Sequence, residues 1–329
     1  MSVRPFLNSD LRASSLTRQR EIFLRQAGYC DERSPLYASL CRALAGDARV
    51  AALAPDLRWD LPLRLLGGLH YLVLAGIASW DDVDGALEEH AAFLARFVEE
   101  QQVQTNEVAR AWALLPGLLS VGAERIDVLE LGASAGLLLG FDRYGYRYRT
   151  GSWGDGALVL SGDDRGGPPA DVVARRMQVE RRRGVDLDPV DVTTDHGARL
   201  LQAFVWPDQT DRLERLRAAI AVVRGDPPEL VRGDYVELLP VLLAQRGEAH
   251  AVVFTSVTTA YLPEERYQEL LVALARAGNE RPLAWLAPEG PRGEPDYGGL
   301  ALDLTTWPGG ETRRLAKADF HAGWLEWSA

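Results

Sequence analysis

A run of small residues follows the most β-rich stretch in the first half of the chain. The stretch Ile126-Asp127-Val128-Leu129-Glu130-Leu131 leads directly into Gly132-Ala133-Ser134-Ala135-Gly136. This pattern predicts a strand, a tight loop and a helix. Gly132 permits a turn that a β-carbon would hinder, and Gly136 lets the helix pack close to the strand. N–H groups at the helix start would face a ligand carboxylate, and Glu130 would accept a hydrogen bond from an amine or hydroxyl.

Such a loop indicates a nucleotide-like cofactor at the carboxyl end of a strand. Glu130 would repel a pyrophosphate, so the loop suits the methionine half of S-adenosylmethionine better. The same residues spell G-x-S-x-G, the nucleophile turn of α/β-hydrolases, with Ser134 as nucleophile and a triad completed by His321 with Asp303 or Asp319. Against a hydrolase, the preceding residues read as helices and contain no His-Gly-Gly. A structural glycine turn without a ligand is the third interpretation.

Two later acids are candidates for binding a ribose diol. Asp186 and Asp188 follow a short predicted strand, Val185 to Leu187, and Asp186 is the better placed of the two. Asp186 lies 56 residues after Glu130, whereas an uninterrupted unit needs about 20. The assignment therefore requires an insertion near 144–170, where alternating tyrosines predict a hairpin. Without that insertion, Asp186 is a surface turn acid.

Candidate ligand contacts also follow the third and fourth predicted strands. Gly233, Asp234 and Tyr235 close the third strand, where the carboxylate would accept a hydrogen bond from an adenine amino group and Tyr235 would stack nearby. Asp234 is equally a helix N-cap candidate, and both roles are compatible. At the end of the fourth strand, Ser256 is assigned to the cofactor and Thr255 to the substrate. The alternative for this segment is a hydroxyl-rich loop that caps the next helix.

Polar residues ahead of the first strand predict a lid. Asn106 and Arg110 would reach the amino-acid part of the cofactor or the substrate, and a helix N-terminus without a ligand role is the alternative. Candidates to deprotonate or orient an acceptor are Glu107, Tyr261 and His250.

The composition excludes several classes of function. A net charge of -11 argues against nucleic-acid binding, since a polyanion would be repelled. Two cysteines and five scattered histidines support neither a disulfide framework nor a metal site. The longest apolar run, Leu61 to Ile77, is interrupted by Arg64 and His70, so we expect a cytoplasmic protein without a membrane contact. Five arginines indicate a solvated helix face, or less readily an anion site, and these are residues 175, 176, 181, 182 and 183.

The elements around these motifs predict an α/β fold. Helical spacing from Leu16 to Leu119 predicts four to six helices. Beyond Gly184, strands and helices alternate, and Leu300 to Thr306 pairs with Leu315 to Trp327 as a terminal hairpin. This pattern implies a mostly parallel, Rossmann-like sheet covered by helices, with an antiparallel C-terminal hairpin. We expect an N-terminal helical domain over 1–122 and a cofactor-binding domain over 123–329.

Several motifs together resemble the domain-of-unknown-function family 2332, which is bacterial and uncharacterised. The motifs that carry the resemblance are Ser34-Pro35-Leu36-Tyr37, Leu61-Pro62-Leu63-Arg64, Gln104-Thr105-Asn106-Glu107, the loop from Glu130 to Leu137, Asp142-Arg143-Tyr144, Val205-Trp206-Pro207-Asp208-Gln209, Val231-Arg232-Gly233-Asp234 and Leu302 to Gly310.

That family is similar to class I S-adenosylmethionine-dependent methyltransferases in its glycine loop. The similarity implies a seven-stranded sheet with a helical N-terminal extension. By this analogy Asp186 binds the ribose and Asp234 the adenine. The residues that would surround the methionine part are Glu130, Gly132, Ser134 and Gly136.

The resulting expectation is a methyltransferase that acts on a small molecule. The cofactor would be S-adenosylmethionine, with S-adenosylhomocysteine as product, and the protein would be a monomer or homodimer. Aminocarboxypropyl transfer, cofactor cyclisation, serine hydrolysis at Ser134 and ligand binding without catalysis stay open as alternatives. The fourth strand carries Thr255-Ser256 in place of the Asp/Asn-Pro-Pro-Tyr of N-methyltransferases, so methylation of base amino groups is not expected.

Overall fold

Twelve α-helices and twelve strands were identified in a computed structural model that describes residues 6–54, 57–103, 106–294 and 297–328. The helices are α1 (Phe6–Cys30), α2 (Pro35–Leu44), α3 (Ala48–Leu53), α4 (Leu61–Leu74), α5 (Val83–Glu89), α6 (Ala91–Glu100), α7 (Arg110–Ser120), α8 (Ala170–Val173), α9 (Asp195–Ala203), α10 (Thr210–Gly225), α11 (Tyr235–Ala244) and α12 (Glu264–Glu280). The strands are β1 (Arg125–Leu131), β2 (Gly145–Tyr148), β3 (Gly151–Trp153), β4 (Val159–Leu160), β5 (Asp163–Asp164), β6 (Gln178–Asp186), β7 (Glu229–Arg232), β8 (His250–Thr255), β9 (Leu283–Glu289), β10 (Leu300–Trp307), β11 (Glu311–Ala318) and β12 (Trp324–Trp327).

Contacts divide the chain into two compact units. The first comprises Met1–Thr105 and Thr194–Glu214, and the second comprises Asn106–Thr193 and Arg215–Ala329. The expected boundary between domains at residues 122 and 123 stays a prediction. The contact-based units differ from it because α7 packs with the strands of the second unit and α9 packs with α4 of the first.

The first unit is helical, and its sequence explains where the helices begin. Ser34 caps α2, its hydroxyl accepting from the Tyr37 backbone N–H at 3.2 Å, and Pro35 occupies the first helical position. Between Leu16 and Leu119 the structure has seven helices, α1 to α7, instead of the predicted four to six. One additional boundary lies at His90, which ends α5 and starts α6.

The second unit is built on a nine-stranded sheet with the order β5-β12-β11-β10-β9-β8-β1-β6-β7. The strands β7, β6, β1, β8 and β9 are parallel. The pairs β9–β10, β10–β11 and β11–β12 are antiparallel, and β5 pairs with β12 in parallel. The α/β class, the mostly parallel centre and the terminal hairpin are as predicted. The sheet exceeds the predicted seven strands because the segment 315–327 forms two strands and β5 adds to the β12 edge.

The strand order reverses between β1 and β8. From β1 the chain continues through β6 to β7 on one side, and then returns through β8 and β9 on the other. In open parallel sheets, ligands bind beyond the carboxyl ends of the strands at such a reversal. The carboxyl edge next to β1 and β8 is therefore the first place to search for a site.

Helices cover both faces of this sheet around β9 and β10. Trp285 clusters with Leu270 and Leu274 of α12, whereas a β-carbon at Gly117 of α7 would lie 2.7 Å from the Leu286 side chain. Because successive strand residues point to opposite faces, α7 and α12 lie on opposite sides of the sheet.

The predicted insertion near 144–170 is present as a small sheet of order β3-β2-β4. Its alternating tyrosines are buried, and each hydroxyl donates to a backbone carbonyl. Tyr144 donates to Leu137 at 2.7 Å, and Tyr146 donates to Phe141 at 2.6 Å. The insertion accounts for the long separation between Glu130 and Asp186, since β6 begins only after it and pairs directly with β1.

Candidate functional site

The loop after β1 is clamped to the end of β6. The backbone N–H groups of Gly132 and Ala133 both donate to the Val185 carbonyl, at 2.8 and 3.0 Å. The N–H of Ser134 donates to Asp186 Oδ2 at 2.8 Å. These three bonds fix the loop conformation from the neighbouring strand, so the backbone at the reversal point is preorganised.

Gly132 and Gly136 occupy positions where any other residue would be strained in its backbone and would clash with a neighbouring side chain. Their φ angles are +77° and +69°, in the left-handed region that favours glycine. A β-carbon at Gly132 would lie 2.3 Å from Thr258 Oγ1, and one at Gly136 would lie 2.7 Å from Pro228 Cγ. The Gly132 backbone is therefore approached directly by the loop after β8.

Glu130 presents a buried carboxylate beside this loop. The residue is 3% exposed, and its Oε2 has no hydrogen-bond partner among the described residues. Burial, followed by the negative charge of Asp186, raises the pKa of the Glu130 carboxyl well above its usual range, and the positive charge of Arg110 opposes the shift. A cationic group bound here would stabilise the ionised carboxylate.

Asp186 ends β6 next to the loop, as predicted, and both of its oxygens already accept backbone hydrogen bonds. Oδ2 accepts from Ser134 and Oδ1 accepts from the Asp188 N–H at 2.9 Å. Each carboxylate oxygen keeps a second acceptor site, so Asp186 can still receive a ligand hydroxyl. Asp188 is exposed and forms an ion pair with Arg232 at 2.6 Å, which leaves Asp186 as the acid that contacts the loop.

Asp234 is the N-cap of α11. Its Oδ1 accepts from the Val236 N–H at 2.8 Å, and its Oδ2 pairs with Arg266 at 2.6 Å. These bonds outweigh the effect of burial and lower the pKa of the Asp234 carboxyl. Gly233 donates its N–H to the Asp186 carbonyl at 2.9 Å, which ties the ends of β6 and β7 together. Tyr235 is buried, and its burial raises the hydroxyl pKa to about 12.

The loop after β8 is held by a second buried acid. The Thr258 N–H lies 3.1 Å from both carboxylate oxygens of Glu289, at the end of β9. Burial raises the pKa of Glu289, and the hydrogen bond from Thr258 partly offsets that rise. Thr255 is fully buried, and the buried Ser256 Oγ has no hydrogen-bond partner among the described residues. Sequence reasoning did not identify Glu289, whose role depends on the pairing of β8 with β9.

The turn after β11 brings His321 to the same edge. Ala318 pairs with Leu300, and Glu289 pairs with Ala301, so β11 and β9 end on one side of the sheet. His321 Nδ1 lies 3.7 Å from the buried carboxylate of Glu107, whose other oxygen lies 3.7 Å from Arg215 Nε.

Two contacts fix this turn. Arg110 Nε donates to the Phe320 carbonyl at 2.8 Å, and Asp319 Oδ1 accepts from the His321 N–H at 3.1 Å. Asp319 is therefore engaged with the turn backbone, and Asp303 is paired with Arg314 at 2.8 Å. The acid next to the His321 imidazole is instead Glu107.

Backbone strain is found in the loops at this edge. Among the described residues, the non-glycine positions with positive φ are Ser134 at +49°, Val257 at +57° and Ala322 at +55°. They lie in the loops that follow β1, β8 and β11, which all end on the carboxyl edge. Such conformations cost about 1–3 kcal/mol each and are found preferentially at functional sites.

Two of the three candidate acid–base residues, His250 and Tyr261, do not contact the other candidate residues at the carboxyl edge. His250 begins β8, about 16 Å along the strand from Thr255, so it lies at the opposite edge of the sheet. Burial and the charge of Arg246 lower its pKa. The side chain of Tyr261 is 83% exposed in a short 3-10 helix, Thr259–Tyr261. The third candidate, Glu107, does lie at the carboxyl edge, next to His321. The neighbouring Asn106 has a buried amide nitrogen with no hydrogen-bond partner among the described residues.

The predicted helix after the glycine loop is wrong. The loop continues into a six-residue 3-10 helix, Leu138–Arg143, because the chain enters the tyrosine-rich strand β2 almost immediately. The loop itself therefore does not lead into an α-helix. The expected arginine-rich helix face is also wrong, since arginines 181 to 183 lie within β6. Arg183 is buried there and donates to the Leu242 carbonyl at 2.9 Å.

The comparison with known families identifies the chain. It belongs to the family described as an uncharacterized protein conserved in bacteria, DUF2332, whose model matches residues 20–327. This match confirms the resemblance drawn from the sequence motifs. Curated proteins give no match to the chain.

Two features are absent from the described ranges. No helix there is long and apolar enough to cross a membrane. In the same ranges, no group of three or more His, Cys, Asp or Glu residues could hold a metal ion.

Proposed function

We propose that this member of DUF2332 binds S-adenosylmethionine at the carboxyl edge of its sheet and transfers the methyl group to a small molecule. The observation that carries the proposal is the buried Glu130 carboxylate at the strand reversal, with one oxygen lacking a hydrogen-bond partner among the described residues. S-adenosylmethionine carries an ammonium and a sulfonium, and a cation beside Glu130 would offset the cost of ionising it.

The residues around the β1 loop fit the parts of this cofactor. Glu130 would accept from the amino group, and the spare acceptor sites of Asp186 would receive ribose hydroxyls. Gly132 lets the Thr258 side chain approach the loop backbone, so the loop after β8 lies directly beside the β1 loop. Asp234 and Tyr235, at the start of α11, are assigned to the adenine side by analogy.

The parallel strands also support this function. The order β7-β6-β1-β8-β9 places the first strand at the centre and reverses beside it, as in doubly wound nucleotide-binding sheets. These five strands would correspond to the parallel strands of a methyltransferase sheet. The outer strands β10 and β11 would correspond to the antiparallel hairpin at the C-terminal end of the seven-stranded arrangement.

The bound sulfonium would supply an activated methyl group, and the protein would contribute orientation and exclusion of water. Glu107 and His321 would form the acid–base pair, with the buried carboxylate orienting the imidazole toward an acceptor proton. Asn106 and Arg110 lie in the same segment as Glu107 and would contact the substrate or the amino-acid part of the cofactor.

Isothermal titration calorimetry with S-adenosylhomocysteine tests the proposal. We expect micromolar binding to the wild-type protein and at least tenfold weaker binding to Glu130→Gln and Gly132→Ala. Gly225→Ala is the matched control, because a β-carbon at that position meets no atom within 4 Å. Absence of binding to the wild-type protein, or equal affinity in all four proteins, would contradict the proposal.

A serine hydrolase is the second candidate, and the left-handed φ of Ser134 favours it because hydrolase nucleophiles occupy strained turns. Covalent labelling of Ser134 by a fluorophosphonate, lost in Ser134→Ala, would establish this alternative. Mass analysis of the products made from S-adenosylmethionine would separate methyl transfer from aminocarboxypropyl transfer or cyclisation.

A further inference from the structure

A groove of about 1270 Å³ lies between α11 and α12 on the surface of the second unit. Both helices connect parallel strands, since α11 leads from β7 to β8 and α12 leads from β8 to β9. The two helices therefore run in the same direction, and their N-terminal ends lie at the same end of the groove. None of the residues assigned to the cofactor or the substrate lines this groove.

The middle of the groove is apolar and open to solvent. Val272 is 68% exposed and is the central residue of α12, which runs from Glu264 to Glu280. Val241 of α11 is 55% exposed and follows Pro240, which lines the groove. Alanines line much of the remaining surface, at positions 244, 273 and 277. An exposed apolar patch that is contiguous and surrounded by polar residues is typical of a protein–protein contact.

Charged residues line both ends of the groove, and their signs are separated. The N-terminal end of the two helices carries three acids and one arginine, which are Glu237, Glu265, Glu269 and Arg266. The C-terminal end carries three arginines and one acid, which are Arg246, Arg276, Arg281 and Glu280. Arg266 pairs with Asp234 at 2.6 Å and also with Glu269, so it does not neutralise the acidic end. Arg276 lies 3.6 Å from Glu280, and its side chain is 83% exposed.

We propose that this groove is the contact surface of a two-fold symmetric homodimer, in which α12 of one protomer lies antiparallel to α12 of its partner. A two-fold axis at Val272 places the acidic end of each groove opposite the basic end of the other. Glu269 lies three residues before Val272 and Arg276 four residues after it, so Glu269 would face the partner's Arg276 on both sides of the axis. A peptide of one charge sign would match only one end, whereas an inverted second copy matches both.

The dimensions of the two helices agree with a dimer of moderate affinity. α12 has 17 residues and is therefore about 25 Å long. Two helices packed side by side are about 20 Å wide. The surface covers about 500 Å² in projection, which is close to the area that each partner contributes to a small specific interface. We therefore expect a dissociation constant in the micromolar range.

Sedimentation velocity over a concentration series tests the dimer. We expect the wild-type protein to change from monomer to dimer between about 1 and 100 µM. Addition of about 0.5 M NaCl should weaken the dimer, because salt screens the exposed charge pairs. A wild-type protein that stays monomeric at about 100 µM would overturn the proposal and would leave the groove to a partner of different sequence.

Aspartate substitutions locate the contact. Val272→Asp places two carboxylates at the axis and should weaken the dimer by at least about tenfold. Val159→Asp is the matched control, because Val159 is a 45% exposed valine on β4 that does not line the groove, and it should leave the dissociation constant unchanged. Melting temperatures close to that of the wild-type protein would show that both variants are folded. A dimer that Val272→Asp leaves unchanged would overturn the proposal.

Charge reversal tests the antiparallel arrangement. Glu269→Arg and Arg276→Glu should each weaken the dimer by about fivefold or more, because each places like charges opposite one another on both sides of the axis. The double variant restores opposite charges and should bind within about threefold of the wild-type protein. Failure of the double variant to recover affinity would contradict the proposed pairing. These residues are not assigned to the carboxyl-edge site, so the proposal does not depend on the function proposed for that edge.

Discussion

Replacement of Glu130 by Gln should stabilise the protein and weaken ligand binding at the same time. In the folded protein, burial and the neighbouring Asp186 raise the pKa of Glu130. A carboxyl whose folded-state pKa is raised contributes stability below its unfolded pKa, and this contribution is lost as the pH rises through the folded pKa. The isosteric amide carries no charge, so its contribution does not change with pH.

The magnitude follows from the burial of this carboxyl. Glu130 is 3% exposed, and its Oε2 has no hydrogen-bond partner among the described residues. A buried charged group without a partner costs at least about 1–3 kcal/mol. Because the amide carries no charge, we expect Glu130→Gln to be more stable than wild type by at least about 1 kcal/mol at neutral pH. The difference should shrink toward acidic pH, where both side chains are neutral. A gain of this size raises the melting temperature by roughly 2 °C.

Scanning calorimetry over a pH series measures the stability, and titration with S-adenosylhomocysteine measures the affinity. Loss of a charge-assisted hydrogen bond of about 1.5–3 kcal/mol should weaken binding at least tenfold. The matched control is Glu124→Gln, which neutralises an exposed carboxylate and should change neither quantity. A Glu130→Gln protein that is less stable at neutral pH with unchanged affinity would refute the reasoning, because Glu130 would then be a structural ion-pair partner.

Three further variants address the neighbouring residues. Gly132→Ala places a β-carbon 2.3 Å from Thr258 Oγ1. We therefore expect urea unfolding to show a loss of about 1–3 kcal/mol in the free energy of unfolding. An unchanged free energy would show that the loop is not tightly packed. Given an acceptor, His321→Gln should lower kcat by about 100-fold with little change in KM, and an unchanged rate in a discontinuous methyl-transfer assay would exclude an acid–base role. Ser134→Ala should retain methyl transfer within a fewfold of wild type, whereas complete loss of an esterase activity would identify a hydrolase.

Local sequence patterns were sufficient to predict the β1 loop. The strand that ends at Leu131 and the two glycines that follow are determined by residue type over a dozen positions, so periodicity and turn chemistry locate them. The position of Asp186 at the end of the neighbouring strand also follows from the order of elements, once the tyrosine-rich insertion is recognised.

The errors arose where distant partners determine the local structure. The arginines of β6 resemble an exposed helix face when read locally, but Arg182 pairs with Asp142 of the preceding 3-10 helix and Arg183 bonds to a carbonyl of α11. Those contacts offset the cost of placing charged side chains in a strand. Similarly, the contact of His321 with Glu107 depends on the edge at which β11 ends, which follows from the pairing of strands and not from spacing.

Local patterns also do not show which candidate residues lie at the carboxyl edge of the sheet and which lie at the opposite edge. His250 and Thr255 belong to one strand, yet only Thr255 is at the carboxyl edge. Asp234 caps α11 and follows β7, and its contact with adenine stays a prediction. A strand end and a helix start nearly coincide at this position, so the sequence pattern alone does not separate a capping role from a ligand contact.

A crystal structure of the wild-type protein at saturating S-adenosylhomocysteine would test the central proposal most directly. We expect the ligand beyond the end of β1, with its amino group within hydrogen-bond distance of Glu130 and its ribose hydroxyls at Asp186. A ligand bound elsewhere, or an empty carboxyl edge at a concentration that saturates S-adenosylmethionine-binding enzymes, would contradict it.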